Sequence, residues 1–171
     1  MAMRTTSDPM TLWCRVLGDP QLQDLPFKIE TNQRGQLVLS PHNPRHSKRQ
    51  LQIGELLGKV TSSGARAVEF SVATAQGIKV PDVIWMSAER DAQIPEEAPA
   101  SPVMPELCVE VLSSSNTEEE MMEKRTLYFE EGAEEVWVVE EDGQVIFYSA
   151  EGVLQHSKIA PDFPGTLPAL R

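Results

Sequence analysis

The segment "PELCVEVLSSS" (residues 105–115) places the tightest constraint on the fold of this chain. Its apolar residues predict a buried β-strand, with Leu107, Val109 and Val111 on one face and Cys108 on the other. Glu110 lies among these apolar neighbours. Burying an unpaired carboxylate costs several kcal/mol. The fold must therefore bring a compensating group next to Glu110.

A helix and a hairpin follow this strand in the sequence. The segment "TEEEMMEKRTLYFEEG" (117–132) predicts a helix that begins at a capping box formed by Thr117 and Glu120 and ends at Gly132. The segments "EEVWVVE" and "QVIFYS" then flank an Asp-Gly turn, which is typical of a β-hairpin.

The first half of the chain also contains a predicted hairpin and a predicted helix. The segment "FKIETNQRGQLVLS" (27–40) predicts a hairpin, and Asn43 is a suitable N-cap for a helix that runs from Pro44 to Ser63 and closes at Gly64. The runs "ARAVEFSVAT" and "GIKVPDVIWMS" predict a second antiparallel pair, and the polar loop 88–105 follows with no regular period. The short segment "TLWCRVL" is compatible with either a helix or a strand.

Helices that interrupt a set of strands indicate an α/β fold, a mixed β-sheet with helices packed on it. The length of 171 residues suits one domain over 1–171, with irregular ends at 1–10 and 160–171.

Composition restricts the cellular setting. The two cysteines, Cys14 and Cys108, form no CxxC pair, so neither a disulfide framework nor a structural zinc site is expected. They favour a reducing, cytoplasmic compartment. No apolar run approaches the roughly 20 residues that a membrane span needs.

Charge narrows the possible contacts with nucleic acid. The net charge of −11 counts against non-specific binding to phosphates. The segment "PRHSKRQ" (44–50) is basic, however, so Arg45, Lys48 and Arg49, joined by Arg66, are the predicted contacts to nucleic acid.

Three residues are candidates for chemistry, and each has a structural alternative. Asp82, in "VPDVIWM", follows Pro81, which cannot donate to a β-ladder and so predicts an edge or a bulge at that point of the strand. Asp82 shares a strand face with Ile84 and Met86, or it simply accepts backbone hydrogen bonds at a strand end. Glu110 is likewise a carboxylate among apolar strand residues and a candidate for chemistry, or it pairs with a basic residue from a helix. Lys124 lies beside the inward side of its helix, or it is a solvated surface lysine.

Together these three residues indicate a site for phosphodiester hydrolysis. Two carboxylates on neighbouring strands suit Mg²⁺, which takes oxygen ligands and keeps several waters. A nearby lysine can orient a water molecule or stabilise charge on the phosphate. Such an arrangement would also explain how Glu110 is tolerated in a buried strand.

The motifs then suggest a family. Pro81-Asp82, the strand segment Glu110-Val111-Leu112-Ser113, the pair Lys124 and Tyr128, and "GAEEVWVV" (132–139) together resemble the bacterial family of putative restriction endonucleases within the PD-(D/E)XK nuclease superfamily. The superfamily pattern has a lysine where Leu112 stands, so the resemblance implies that Lys124 takes its place from the helix.

The resemblance implies a restriction-endonuclease-like fold and a DNA endonuclease that uses Mg²⁺, for which Mn²⁺ can substitute. It implies Asp82 and Glu110 as metal ligands, Lys124 as a catalytic residue and Glu30 as a further acid of the site. A homodimer would suit the cutting of both strands of a duplex. The alternative function is a catalytically silent member of the fold that acts as a binding or regulatory module, which the net charge and the missing strand lysine favour.

Overall fold

The structure is a computed structural model that describes residues 8–170, so residues 1–7 and 171 lie outside the description. Within that range the chain forms four α-helices and ten β-strands. In chain order they are α1 (Pro9–Gly18), β1 (Phe27–Thr31), β2 (Leu37–Pro41), α2 (Pro44–Val60), β3 (Ala65–Val68), β4 (Val72–Thr74), β5 (Gly77–Lys79), β6 (Val83–Met86), α3 (Ala88–Asp91), β7 (Leu107–Val111), α4 (Glu118–Glu130), β8 (Glu135–Val139), β9 (Val145–Ser149) and β10 (Gly152–Leu154).

A central sheet of six strands has the order β10-β9-β8-β7-β6-β3. Strands β7 and β8 run parallel and are connected through α4, whereas the other neighbouring strands are antiparallel. The hairpins β1-β2 and β4-β5 stand apart from this sheet. The predicted mixed sheet flanked by helices is therefore confirmed.

Each face of the central sheet packs against one long helix. On one face, Ile53 and Leu57 of α2 pack in one apolar cluster with Val109 and Trp137. On the other face, Tyr128 of α4 packs in a second cluster, whose strand members are Ile84, Met86, Cys108 and Val136. Side chains alternate between the faces of a strand, so Glu110, two residues after Cys108, lies on the α4 face.

Two strand predictions need correction. The runs 65–74 and 77–87 do pair in antiparallel fashion, but each breaks into two strands, at Glu69 (φ +48°) in the first and around Pro81 in the second. The strand at Pro81 was predicted to lie at an edge or to bulge. The regular strand β5 instead ends at Lys79, before Pro81, which has no N–H to donate. Pro81 O still accepts from Phe70 N at 3.2 Å, and β6 resumes in the sheet between β3 and β7.

The helix boundaries in the structure also differ from those predicted from the sequence. Helix α2 ends at Val60 instead of Ser63, because the backbone of Thr61 turns to an extended conformation (φ −110°, ψ 131°). The N–H and the hydroxyl of Thr61 still donate to Leu57 O, at 2.9 and 2.6 Å. The short helix α3 interrupts the loop predicted for 88–105, and "TLWCRVL" lies within helix α1.

At the ends of the chain, residues 9 and 10 are helical instead of irregular, while residues 1–7 of that predicted segment lie outside the described range. Residues 160–170 form neither helix nor strand, although Phe163 and Leu167 are buried there. No helix between residues 8 and 170 is long and apolar enough to cross a membrane.

Candidate active site

Two buried acidic side chains lie next to each other where β6 begins and β7 ends in the central sheet. Asp82 immediately precedes β6, and its backbone N–H donates to Val109 O of β7 at 3.1 Å. Glu110 belongs to β7, and the two residues are 1% and 4% exposed. Asp82 Oδ2 accepts a hydrogen bond from Val111 N at 2.7 Å, so this residue does cap a strand backbone. Its other oxygen, Oδ1, contacts side chains.

Lys124 reaches these carboxylates from α4. Its Nζ lies 3.1 Å from Glu110 Oε1 and 3.0 Å from Glu30 Oε1, and its side chain is only 15% exposed. Lys124 is thus a nearly buried cation between two acids. The pairing of Glu110 with a basic helix residue, which the sequence left open as an alternative, is present as well.

Glu30 comes from the β1-β2 hairpin, and it also has a structural task. Its Oε1 accepts a hydrogen bond from Val80 N at 2.8 Å, next to the contacts that Thr31 makes with Ile78 N and Lys79 Nζ. These bonds dock the hairpin beside β5. The structure therefore brings Asp82, Glu110, Lys124 and Glu30 together, each predicted from the sequence.

Four further side chains join this cluster, and the sequence interpretation did not assign them to the site. Lys28 Nζ lies 2.8 Å from Asp82 Oδ1 and 3.9 Å from Glu110 Oε2. The same Asp82 oxygen accepts from Gln50 Nε2 at 3.2 Å and lies 3.1 Å from His46 Nε2. The hydroxyl of Tyr128 donates to Glu110 Oε1 at 2.6 Å.

The sequence contained a signal for three of these residues. Lys28 stands two residues before Glu30 in a strand, so both side chains lie on the same face. His46 and Gln50 precede Ile53 and Leu57 at helical spacing and extend the inward stripe of α2. Tyr128 is a motif residue paired with Lys124, and the structure buries its side chain with the hydroxyl against Glu110.

Burial and neighbouring charges together shift the pKa values of Asp82 and Glu110 in opposite directions. Burial alone would raise the pKa of Asp82, but the contacts with His46 and Lys28 outweigh it and the pKa lies far below its usual value. Burial dominates at Glu110, so its pKa is raised despite the nearby ammonium groups of Lys124 and Lys28.

The two lysines remain charged. Burial would lower the pKa of each ammonium, but Glu110 is the strongest of the acids that more than compensate for it, and both pKa values are raised. The site is thus a network of ionised groups in which Glu110 is the acid closest to taking up a proton.

A groove crosses the protein surface above this cluster. Its middle part opens onto Asp82 and Glu110 and is bordered by polar residues of the turn after β7 and the start of α2, among them Ser113, Asn116 and Asn43. One end continues as a cavity of about 390 Å³ between β2 and α4, and the other continues past Arg45. The cluster is therefore accessible from solvent along an extended depression, which we call the site groove.

The site groove is electrostatically uneven. Arg45 and Arg49 line one end together with Glu140 and Glu141, whereas Glu120 and Glu123 line the other together with Lys79 and Lys124. Arg45 is exposed and donates to Glu141 O at 2.8 Å, and Lys48 is exposed on the same helix. Arg49 is 5% exposed, and its guanidinium donates to Pro168 O and Gln52 Oε1.

The donor set fits a divalent cation of the magnesium type at one position. Asp82 and Glu110 offer carboxylate oxygens, and Mg²⁺ characteristically takes one or two carboxylates and completes its shell with waters. The ammonium of Lys28 already places a positive charge against both carboxylates. Within residues 8–170, no set of three or more His, Cys, Asp or Glu side chains converges closely enough to hold a metal ion. Such a cation would therefore rest on two protein carboxylates.

Comparison with known proteins identifies relatives. The family model described as "Uma2: Putative restriction endonuclease" matches residues 19–168. Among solved structures, the chain is similar to a putative nuclease belonging to DUF820 from Anabaena variabilis ATCC 29413, with a TM-score of 0.61, 16% sequence identity and 71% of each chain covered. No curated protein matches the chain. The structural likeness supports the fold, and the family match covers most of the sequence.

Proposed function

The chain belongs to the Uma2 family of putative restriction endonucleases, and from this premise we propose that it is a Mg²⁺-dependent endonuclease that hydrolyses DNA phosphodiester bonds. One observation supports the proposal most directly. Two buried carboxylates of adjacent strands and the nearly buried ammonium of Lys124 converge beneath an open groove.

The position of each residue in the site suggests its role in the proposed reaction. Asp82 and Glu110 would hold Mg²⁺ or Mn²⁺, which when bound polarises the phosphate and lowers the pKa of an attacking water. Lys124, held by Glu30 and Glu110, would direct its remaining N–H toward the water or the phosphate. Tyr128 would hold Glu110 in place through the hydrogen bond that its hydroxyl donates to Oε1. Glu30 would act through Lys124 and not on the substrate.

The proposed DNA contacts lie at the end of the site groove that Arg45 and Arg49 line. Arg45 and Lys48 are exposed on α2, where phosphates can reach them. Arg49 would hold α2 against the C-terminal segment, since its guanidinium already bonds Pro168 O. The remaining features of the proposal are a single domain over the whole chain and a homodimer that presents one site to each strand of a duplex.

A metal-dependent cleavage assay tests this function. Supercoiled plasmid, linear duplex and single-stranded DNA would be incubated with Mg²⁺, with Mn²⁺ and with a chelator, using the wild type and Glu110→Gln. Glu55→Gln, which changes an exposed acid of α2, is the matched control. We expect cleavage that requires metal, is lost in Glu110→Gln and persists in the control.

One observation favours a second function, that of a catalytically silent binding or regulatory module. The acids of the site are already paired with lysines, one of which contacts both proposed metal ligands. On that alternative the protein binds DNA with or without a chelator, and no tested DNA is cut with either metal.

A further inference from the structure

Lys28 occupies an unusual place in the cluster. It comes from the β1-β2 hairpin, outside the central sheet, and its side chain is 12% exposed. Its ammonium contacts Asp82 Oδ1 at 2.8 Å and lies 3.9 Å from Glu110 Oε2. It is therefore a cation placed against the same two residues that are proposed as metal ligands.

The two lysines of the site use different oxygens of Glu110. Lys124 lies against Oε1, which also accepts from Tyr128, whereas Lys28 faces Oε2. On Asp82, Oδ2 is committed to the backbone of Val111. The two oxygens that bond neither the backbone nor Lys124 are Asp82 Oδ1 and Glu110 Oε2, and Lys28 faces both. Asp82 Oδ1 also contacts two donors of α2 that can be neutral, Gln50 Nε2 and His46 Nε2.

The charge balance supports the same conclusion. Counting only carboxylates and lysines, and leaving out the imidazole of His46 beside Asp82, the three carboxylates of the site face two ammonium groups. The carboxylates are those of Glu30, Asp82 and Glu110, and the ammonium groups are those of Lys28 and Lys124. One negative charge is left over. If Lys28 left the cluster, two negative charges would be left over, and a divalent cation compensates two.

We propose that Lys28 is an internal counter-ion that competes with the divalent cation for Asp82 and Glu110, so that metal binds by displacing the Lys28 ammonium. This inference rests on the metal ligands named in the proposed function. A lysine suits such a part because its ammonium is a compact charge on a flexible four-carbon stem, which can leave without moving the backbone. The protein then folds without metal and takes up metal above a threshold concentration that Lys28 sets.

Metal binding measured by calorimetry with Mn²⁺ tests the competition. We expect Lys28→Met to bind Mn²⁺ at least about tenfold more tightly than the wild type, because a positive charge within a few ångströms has been removed. Lys79→Met is the matched control. It removes the same charge from β5, where Lys79 Nζ bonds Thr31 O and is in ion-pair contact with neither Asp82 nor Glu110.

A measurement on the wild type keeps the test independent of how well the variant folds. The rate at which an amine-directed reagent labels Lys28, followed by mass spectrometry and compared with that of Lys79, should rise when Mn²⁺ binds. Unchanged labelling of Lys28 under conditions where calorimetry shows Mn²⁺ bound would overturn the inference. So would equal tightening in Lys28→Met and Lys79→Met, or absence of Mn²⁺ binding in both the wild type and Lys28→Met.

These outcomes separate the two proposals. Tighter Mn²⁺ binding by Lys28→Met without any DNA cleavage supports the competition and contradicts the endonuclease function. Metal-dependent cleavage by the wild type, with no change in Mn²⁺ affinity in Lys28→Met, supports the function and contradicts the competition.

Discussion

Replacing Lys124 by Met is the perturbation whose effect on stability the structure defines best. The substitution keeps most of the packing of the side-chain stem but removes the ammonium that bridges Glu30 and Glu110 at 3.0 and 3.1 Å. Removing one partner of a buried ion pair typically costs about 3–5 kcal/mol, because the other charge stays buried and unpaired. An exposed lysine paired with helix acids would contribute at most about 1 kcal/mol.

Protonation of Glu110 sets an upper limit to the part of this cost that arises at Glu110, while Glu30 keeps the hydrogen bond from Val80 N. A carboxyl with an ordinary pKa of about 4.3 can be neutralised at pH 7 for about 4 kcal/mol, at about 1.4 kcal/mol per pH unit. Glu110 is the acid to take the proton, because burial already raises its pKa. We therefore expect Lys124→Met to lose about 3–4 kcal/mol of unfolding free energy at pH 7.

The same argument predicts a dependence on pH. Neutralising such a carboxyl at pH 5 costs only about 1 kcal/mol, so the deficit of the variant relative to the wild type should shrink as the pH falls. Urea unfolding at several pH values measures this. The double variant Lys124→Met/Glu110→Gln, which carries the neutral form permanently, should show little further pH dependence of its deficit.

Lys59→Met, which changes an exposed lysine of α2, is the control and should stay within about 0.5 kcal/mol of the wild type. A loss below about 1 kcal/mol for Lys124→Met at pH 7, or a loss that is the same at pH 5, would refute the reasoning.

Three further predictions follow from other parts of the structure. The double substitution Arg45→Glu and Lys48→Glu should weaken DNA binding to all sequences alike, as a filter-binding titration at low salt would show, since phosphate contacts are not sequence-specific; unchanged affinity would place the DNA on another face. Asp82 has a lowered pKa in the folded protein, so the stability it contributes is fully present above about pH 4 and is lost as the pH falls through that lowered value. When the urea midpoint of unfolding is plotted against pH, Asp82→Asn should therefore show a smaller decrease on the acid side than the wild type. Glu135→Ala should lower the free energy of urea unfolding by at least about 3 kcal/mol, because four buried donors lose their acceptor. The Glu135 carboxylate accepts hydrogen bonds from Trp137 Nε1, from the Ser157 hydroxyl and from two backbone N–H groups. A smaller loss would mean that water takes the place of the carboxylate as acceptor.

Local signals in the sequence predict local structure well in this chain. Asn43 caps α2 through His46 N, and Thr117 with Glu120 forms the capping box of α4, both as the sequence indicates. These features depend on residues only three apart. The break at Pro81 was noticed but misread, because the sequence does not show whether pairing will resume on the far side of a proline.

Contacts between distant segments are harder to predict. Glu110 requires a compensating cation, and Lys124 could be inferred because the helix follows β7 directly. Lys28 could not be inferred in the same way, because it lies on a separate hairpin whose docking depends on Thr31 and Glu30 contacting β5 and Val80. His46 likewise resembles an ordinary surface histidine until the N-terminal end of α2 is placed beside Asp82.

The composition of the cluster also determines how any loss of activity can be interpreted. Asp82, Glu110 and Lys124 are proposed for catalysis, yet the same side chains satisfy one another's buried charges and the backbone N–H of Val111. Removing any one of them would reduce both stability and activity, so loss of activity in a variant does not by itself show that the removed side chain takes part in catalysis. Lys28 differs, because it pairs with both proposed ligands but is not needed to bind metal. Its removal should lower the stability of the metal-free protein and raise the gain in melting temperature on adding Mn²⁺. A chain that needs no metal would show only the first change, and a metalloenzyme would show both.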